Sequence, residues 1–357
     1  MLHLFNRLKK RALLALLLVL PVGLALLPAA AWRSVGLGAA MLARPAAAVD
    51  DLSRRLLLSA GLSAGLSDSS PDNPAAPAAD MNIYPSDQHP AAGAPAPAED
   101  GTGGTVITED MSVQTGLIDG AAVRNKTGLT IDCNTLLQGD YSLGFEKNGT
   151  PEVLIIHTHT TEAYITYDTG YYNAADVDRS FDERRNVVTA GNQLAATLQA
   201  AGIGVIHDTT VFDNPVYTGA YDRSAVDIAR IVQENPTIKL VIDLHRDTVM
   251  PNAVTRYKPT TTVNGRSAAQ LMLVTGVLST DALPNPYWQD NLRFSLHLQQ
   301  ALHAQYPTLT RPVDLTTARY NQQYNRVSVL IELGADANTV GEAVYTASLL
   351  GGVIAGM

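Results

Sequence analysis

Cysteine is almost missing from this chain. Cys133 is the only one in 357 residues, which excludes an intrachain disulfide and any cysteine-based zinc knot. A lone cysteine of this kind reads as a small buried hydrophobe. Positive charge is also short: 25 Lys and Arg stand against 34 Asp and Glu, a formal net charge of −9. Proteins that bind nucleic acid need basic patches to neutralise phosphates, so no nucleic-acid partner is expected. The zinc-peptidase pattern His-Glu-x-x-His does not occur, which removes one class of metal peptidase and leaves others open.

Charge is absent altogether from Ala12 to Trp32, ALLALLLVLPVGLALLPAAAW, a run long enough to cross a hydrocarbon core of about 30 Å. The preceding residues 1–11 carry Arg7, Lys9, Lys10 and Arg11, whereas Arg33 alone follows closely. The positive-inside bias then leaves residues 1–11 in the cytoplasm, 12–32 as a transmembrane helix or signal anchor, and the remainder outside. The small residues at 29–31 also suit a cleavage site. Either way the body is expected to be extracytoplasmic, and with the anchor retained it sits at the cell membrane.

Residues 33–105 follow as a spacer, and from about Ser63 to Thr105 large apolar residues are almost absent, where PDNPAAPAAD and HPAAGAPAPAEDGTGG leave little to repay the entropy of ordering. This stretch reads as a disordered spacer that gives a folded domain at 106–357 reach from the bilayer.

From residue 106 onward, short β-branched runs alternate with amphipathic stretches, the signature of α/β architecture with a mostly parallel sheet flanked by helices. Strands are expected at 153–156, 203–207, 240–244, 269–276 and 328–333. Helices are expected from Asn186 to Ala201, Ser224 to Gln233, Asp290 to His303 and Gly341 to Ile354. In such sheets the chemistry gathers beyond the carboxyl ends of strands.

Three strand ends turn abruptly polar. The first delivers HTHTTEAY (157–164), in which His157 and His159, two apart on an extended segment, share a face. Both could flank one ion, one could bind while the other supports it, or both could be structural. The second, LVIDLHRD (240–247), ends in His245, Arg246 and Asp247. In the third, SVLIELGADANT (328–339), Glu332 interrupts an apolar strand and must be paired, protonated or bound to something. A salt bridge to Arg246 or Arg319 is the structural alternative. Two histidines and a carboxylate suit a hydrolytic metal site, in which Zn²⁺ brings the pKa of a bound water toward about 7 and a further carboxylate moves protons.

HTHTTEAY, NVVTAGNQLAATLQAAGIGVIHD (186–208), VIDLHRD (241–247), RYNQQ (319–323) and LIELGADANTVGEA (330–343) occur in this order. Together they resemble the stage II sporulation protein P (SpoIIP) family, which is similar in fold to the zinc N-acetylmuramoyl-L-alanine amidases. The resemblance covers about residue 106 to the C-terminus. It implies hydrolysis of the lactoyl amide that joins stem peptides to muramic acid in peptidoglycan, with peptide cross-link cleavage as a second activity. It further implies septal wall thinning and engulfment during sporulation, alongside a SpoIID-like transglycosylase and a SpoIIM-like membrane protein. Zinc as cofactor belongs to the same implication.

The resemblance also assigns roles. It makes His159 and His245 metal ligands, with His157 beside the first as an alternative or supporting group, and Glu332, in its Glu-x-Gly context with Gly334, the catalytic glutamate. Asn338 stands two positions beyond where the wider amidase family has its asparagine. For the acidic ligand, counting back from Gly202 through the helix places Glu183 in register; Glu162, inside the first motif, competes. Arg246 would act with Glu332 or neutralise a substrate carboxylate, or else brace Asp247, and Arg319 with Asn321 would line the substrate groove. The competing reading is a wall-binding scaffold that keeps the fold without the metal.

Overall fold

The computed structural model describes residues 103–112, 117–173 and 179–357. The basic N-terminal segment, the apolar run 12–32 and all but the end of the expected spacer lie outside them. Among the described residues, no helix is long and apolar enough to cross a membrane.

The described residues form eleven strands and five helices in order: β1 (Gly103–Glu109), β2 (Val123–Asn125), α1 (Cys133–Leu136), β3 (Pro151–Ile156), β4 (Tyr171–Asn173), α2 (Val187–Ala200), β5 (Gly204–His207), α3 (Ala220–Glu234), β6 (Leu240–Asp247), β7 (Thr255–Val263), β8 (Arg266–Ala269), β9 (Leu271–Gly276), α4 (Trp288–Gln305), β10 (Val313–Thr316), β11 (Ser328–Ala335) and α5 (Val340–Ala355). The main sheet has seven strands in the order β2-β10-β9-β11-β6-β3-β5. Every neighbouring pair is parallel except β9 with β11. This is the mostly parallel α/β sheet that the sequence predicts.

Period-two alternation sorts each central strand into two faces. Leu240, Ile242 and Leu244 of β6, Val329, Ile331 and Leu333 of β11, and Leu271 and Leu273 of β9 join the large core with residues of α2, α4 and α5. Burying each such side chain contributes about 1.5–3 kcal/mol. On the other face, Leu154, Ile156 and Val241 pack with Ile228 and Ile231 of α3. The same alternation puts Asp243, His245, Glu332 and Met272 on this second face, with Glu332 in register with both His245 and Met272.

A second sheet of four strands, ordered β4-β1-β7-β8, was not evident in the sequence. Its first strand corrects the spacer boundary, because Gly103 and Gly104 belong to β1 rather than to a linker. A Cβ on Gly103 would collide with the backbone oxygen of Tyr172, and one on Gly104 with that of Val254. These glycines therefore serve close backbone approach.

Helix starts explain two of the sequence motifs. Asn186 caps α2 by accepting from Val188 N. Thr339 and Glu342 form a reciprocal capping box at α5. Just before it, β11 ends in a register shift at Gly334, whose φ is +73° and whose missing Cβ leaves room for Asn338. Asn338 Oδ1 accepts from Ala335 N at 2.8 Å, and its amide donates to Pro259 O at 3.1 Å and Glu342 Oε2 at 3.0 Å. The Gly334 and Asn338 of the motif thus shape the turn that follows Glu332.

Candidate metal and catalytic site

The turn that follows β3 carries His157 to Glu162. His157 is fully buried, with Nδ1 2.8 Å from Leu244 O and Nε2 2.8 Å from His207 Nε2. Only a donor can face a carbonyl, so Nδ1 carries the proton and Nε2 accepts from His207. Burial pushes His157 down to about 4 and His207 to about 3, so both are neutral. Gly191 of α2 makes room for the pair, since a Cβ there would lie 2.6 Å from His207 Nε2 and 2.8 Å from His157 Nε2. His157 is thereby engaged away from any ion.

His159 lies among aromatic rings. Tyr217 stacks on it at 4.4 Å between centroids, and Tyr221 and His245 meet it edge-on at 5.5 and 5.3 Å. Its Nδ1 is buried without a hydrogen-bond partner. Burial depresses its basicity, leaving a neutral imidazole with lone-pair capacity to spare.

His245 stands between two carboxylates. Its Nδ1 is 3.3 Å from Glu162 Oε2, and its Nε2 is 2.9 Å from Asp243 Oδ1. Burial opposes charge on the ring, yet Asp243 and Glu162 together hold it well above the usual histidine range. Burial likewise opposes charge on Glu162, but His245, Arg246 and His159 outweigh it and bring the carboxyl to about 2. Glu162 Oε2 also accepts from Arg246 N at 3.2 Å.

Glu332 sits on the neighbouring strand with Oε2 buried and without a hydrogen-bond partner. Burial drives its carboxyl up to about 8, reinforced by Asp247 and Glu162 and opposed by His245 and Arg246. An acid with one oxygen buried and unpartnered among charged groups on a sheet face is an expensive arrangement, and such arrangements cluster at functional sites.

The remaining sequence candidates fall differently. Glu183 is exposed on the segment leading to α2, and its main-chain oxygen accepts from Thr189 Oγ1; no hydrogen bond or ion pair joins it to His159 or His245. Glu162, the competitor for the acidic position, is the acid at 3.3 Å from His245. Arg246 is buried, with Nε donating to Ala163 O at 3.0 Å and Nη1 to Thr248 Oγ1 at 2.9 Å. That arrangement braces the first motif. Asp247, suggested as its partner, pairs with Arg311 at 2.8 Å. Arg319 donates to Leu283 O at 3.2 Å. Asn321, buried, donates to Tyr221 O at 2.7 Å and Ser224 Oγ at 3.1 Å.

Sequence reasoning missed three residues. Asp243 was within reach, since it shares a strand face with His245 two residues on. Tyr221 lies on α3 with its ring parallel to His245 at 6.4 Å. Tyr217 is more than half exposed and carries the Arg179 guanidinium 4.6 Å from its ring centre.

The donor set can be tested for a zinc ion. Among the described residues, no three His, Cys, Asp or Glu side chains already converge on one point. The atoms nevertheless fit in kind. His159 Nδ1 is orphaned, and the 3.3 Å between His245 Nδ1 and Glu162 Oε2 matches the edge of a tetrahedron whose vertices lie ~2.0–2.1 Å from its centre.

Among solved structures, the chain is similar to the N-acetylmuramoyl-L-alanine amidase AmiC2 of Nostoc punctiforme, at 13% identity over 59% of this chain and 95% of that one, with a TM-score of 0.33. It is also similar to the CwlD amidase of Clostridioides difficile solved with the GerS lipoprotein, at 17% identity over 57% of this chain and 95% of that one, with a TM-score of 0.36. The amidase Ami1 of Mycobacterium smegmatis matches at 14% identity over 59% of this chain and all of that one, with a TM-score of 0.33. A comparison with curated proteins finds no match. The family pattern of stage II sporulation protein P matches residues 107–355, most of the chain and nearly all of its folded part, and the protein belongs to that family.

Proposed function

We propose that this protein is a zinc-dependent peptidoglycan amidase that hydrolyses the amide between the lactoyl group of muramic acid and the stem peptide. The observation that carries the proposal is the grouping of His159, His245, Glu162 and Glu332 on one face at the ends of β3, β6 and β11. Zinc would be held by His159, His245 and Glu162, supplying Lewis acidity and acidifying a water. Glu162 replaces Glu183 in this set because it stands beside His245, whereas Glu183 is exposed.

Glu332 moves the proton. With its carboxyl near 8, it titrates close to neutral pH, where a group can accept a proton and return it. It takes one from the attacking water as the C–O bond forms. It delivers that proton to the amide nitrogen as the C–N bond breaks, releasing the peptide's amine and the lactoyl carboxylate. The rings of Tyr217 and Tyr221 wall the space around His159 and limit water there. Arg246 holds the first motif in place.

Membership of the family supports a role in sporulation; the proposal adds wall thinning by a domain that residues 12–32 would tether outside the membrane, with a SpoIID-like transglycosylase and a SpoIIM-like membrane protein as partners. Cross-link cleavage would be a second reaction of the same groups. The test is incubation of the full chain with peptidoglycan, with zinc and separately with chelator, beside a Glu332→Gln variant. Zinc-dependent solubilisation that the variant lacks supports the amidase. Wall binding without release, even with the transglycosylase present, supports the scaffold reading instead.

A further inference from the structure

Behind His245 runs a buried chain of polar groups that the reaction itself does not use. Asp243, 4% exposed, accepts from Thr158 N at 2.8 Å through Oδ1 and from Thr158 Oγ1 at 2.7 Å through Oδ2. Thr158 Oγ1 lies 2.8 Å from Ser224 Oγ, which accepts from Asn321 Nδ2 at 3.1 Å. Thr158 spends its one hydroxyl proton on Asp243, so Ser224 must donate to Thr158. Every proton in the chain therefore points from Asn321 toward Asp243.

An acceptor supplied in this way is a fixed carboxylate, and where it stands closer than the ~3.3 Å edge of a zinc tetrahedron it leaves the hydrogen on the ring atom facing it. That atom is His245 Nε2, 2.9 Å from Asp243 Oδ1. The contact lies off the ring's N–H axis, so Nε2 has no in-line hydrogen bond, and Asp243 acts on it through charge and proximity. The opposite nitrogen, Nδ1, faces Glu162 Oε2 at 3.3 Å.

We infer that Asp243 is a positioning residue that fixes His245 as the Nε2–H tautomer and so offers Nδ1, together with His159 and Glu162, to the zinc ion. Thr158, Ser224 and Asn321 hold Asp243 for this task. Asn321 and its neighbour Tyr320 both occupy the left-handed region, at φ +56° and +53°. Two successive non-glycine residues there are costly, and the site tethers the strained turn through Asn321. The expected substrate-lining role of Asn321 gives way to one inside the support of His245. This inference rests on the zinc reading of the site.

Two measurements on the full chain test it. Long-range ¹H–¹⁵N spectra of the zinc-loaded wild type should show His245 protonated at Nε2 and metal-bound at Nδ1; binding through Nε2 overturns the inference, whatever the variants do. Zinc affinity, measured by competition with a chromogenic chelator, should fall 10–100-fold in Asp243→Ala and less in Asp243→Asn, which keeps an acceptor oxygen. Unchanged affinity in a folded Asp243→Ala protein also overturns it. A wild type that takes up no zinc defeats the amidase reading as well. A wild type that binds zinc and cuts peptidoglycan, with the variants binding equally tightly, defeats only the role of Asp243.

Discussion

Glu332 and His245 are register partners across the parallel pair β11 and β6, and the pleat sets both side chains on the same face of the sheet. One strand supplies a half-buried acid held near 8, the other an imidazole held between two carboxylates. Removing the acid's charge while keeping its shape isolates its chemistry. Glu332→Gln should lower kcat by about 10²–10⁴-fold while zinc content and the circular dichroism spectrum stay as in the wild type. A variant within tenfold of wild-type kcat would show that Glu332 does not carry the proton.

Glu162 and Glu183 give opposite expectations for the acidic ligand. Glu162→Gln should weaken zinc binding by at least tenfold, because it leaves His245 and His159 without their shared acid. Glu183→Gln should bind zinc and turn over like wild type, since its side chain is exposed. Equilibrium competition with a chelator measures both, and the reverse ranking would restore Glu183 to the ligand set.

Gly191 should resist the substitution that normally stabilises a helix. Gly→Ala in a helix interior commonly contributes roughly 0.5–1 kcal/mol, but here the new methyl would lie 2.6 Å from His207 Nε2 and 2.8 Å from His157 Nε2. Gly191→Ala is therefore expected to destabilise by about 1–3 kcal/mol through overpacking. Chemical denaturation reads the sign directly.

The same histidine pair makes the fold sensitive to acid. Folding lowers His157 to about 4 and His207 to about 3 from an ordinary 6.5, so the unfolded chain takes up protons first as pH falls. Their contribution is complete above about 6.5 and is lost progressively as pH drops toward 4, by about 3 kcal/mol for His157 alone. Denaturation midpoints recorded in chelator at successive pH values should decline through this window. Midpoints that stay level from pH 6.5 to 4.5 would mean that the pair is not buried as a neutral couple.

Much of the main sheet was legible because its strands are mainly apolar runs ending in polar residues, as in VLII before His157 and LVIDL, broken only by Asp243, before His245. The strand of His245 simply continues through Asp247. The second sheet was hidden. Its longest strand, TRYKPTTTV, is threonine-rich with Pro259 in its middle, and its first begins with glycines that resemble the spacer. The sequence points to a helix from Ser224 whereas α3 begins at Ala220, because the N-cap is Gly219, with no side-chain cap to announce the start. Tyr221 therefore falls outside the expected helix. The histidines and Glu332 stood out because polar residues interrupt apolar strands. The choice between Glu162 and Glu183 depended on how the turn after β3 folds back toward β6, which spacing along the chain does not encode.

The central claim is tested most directly by identifying the ends that the protein creates. Intact peptidoglycan would be treated with the zinc-loaded full chain and the soluble products analysed by mass spectrometry with labelling of new amines. The account predicts new N-terminal alanine on intact stem peptides and glycan strands that end in free lactoyl carboxylates, both absent with Glu332→Gln. New amines only at cross-link positions, or no new ends at all, would contradict it.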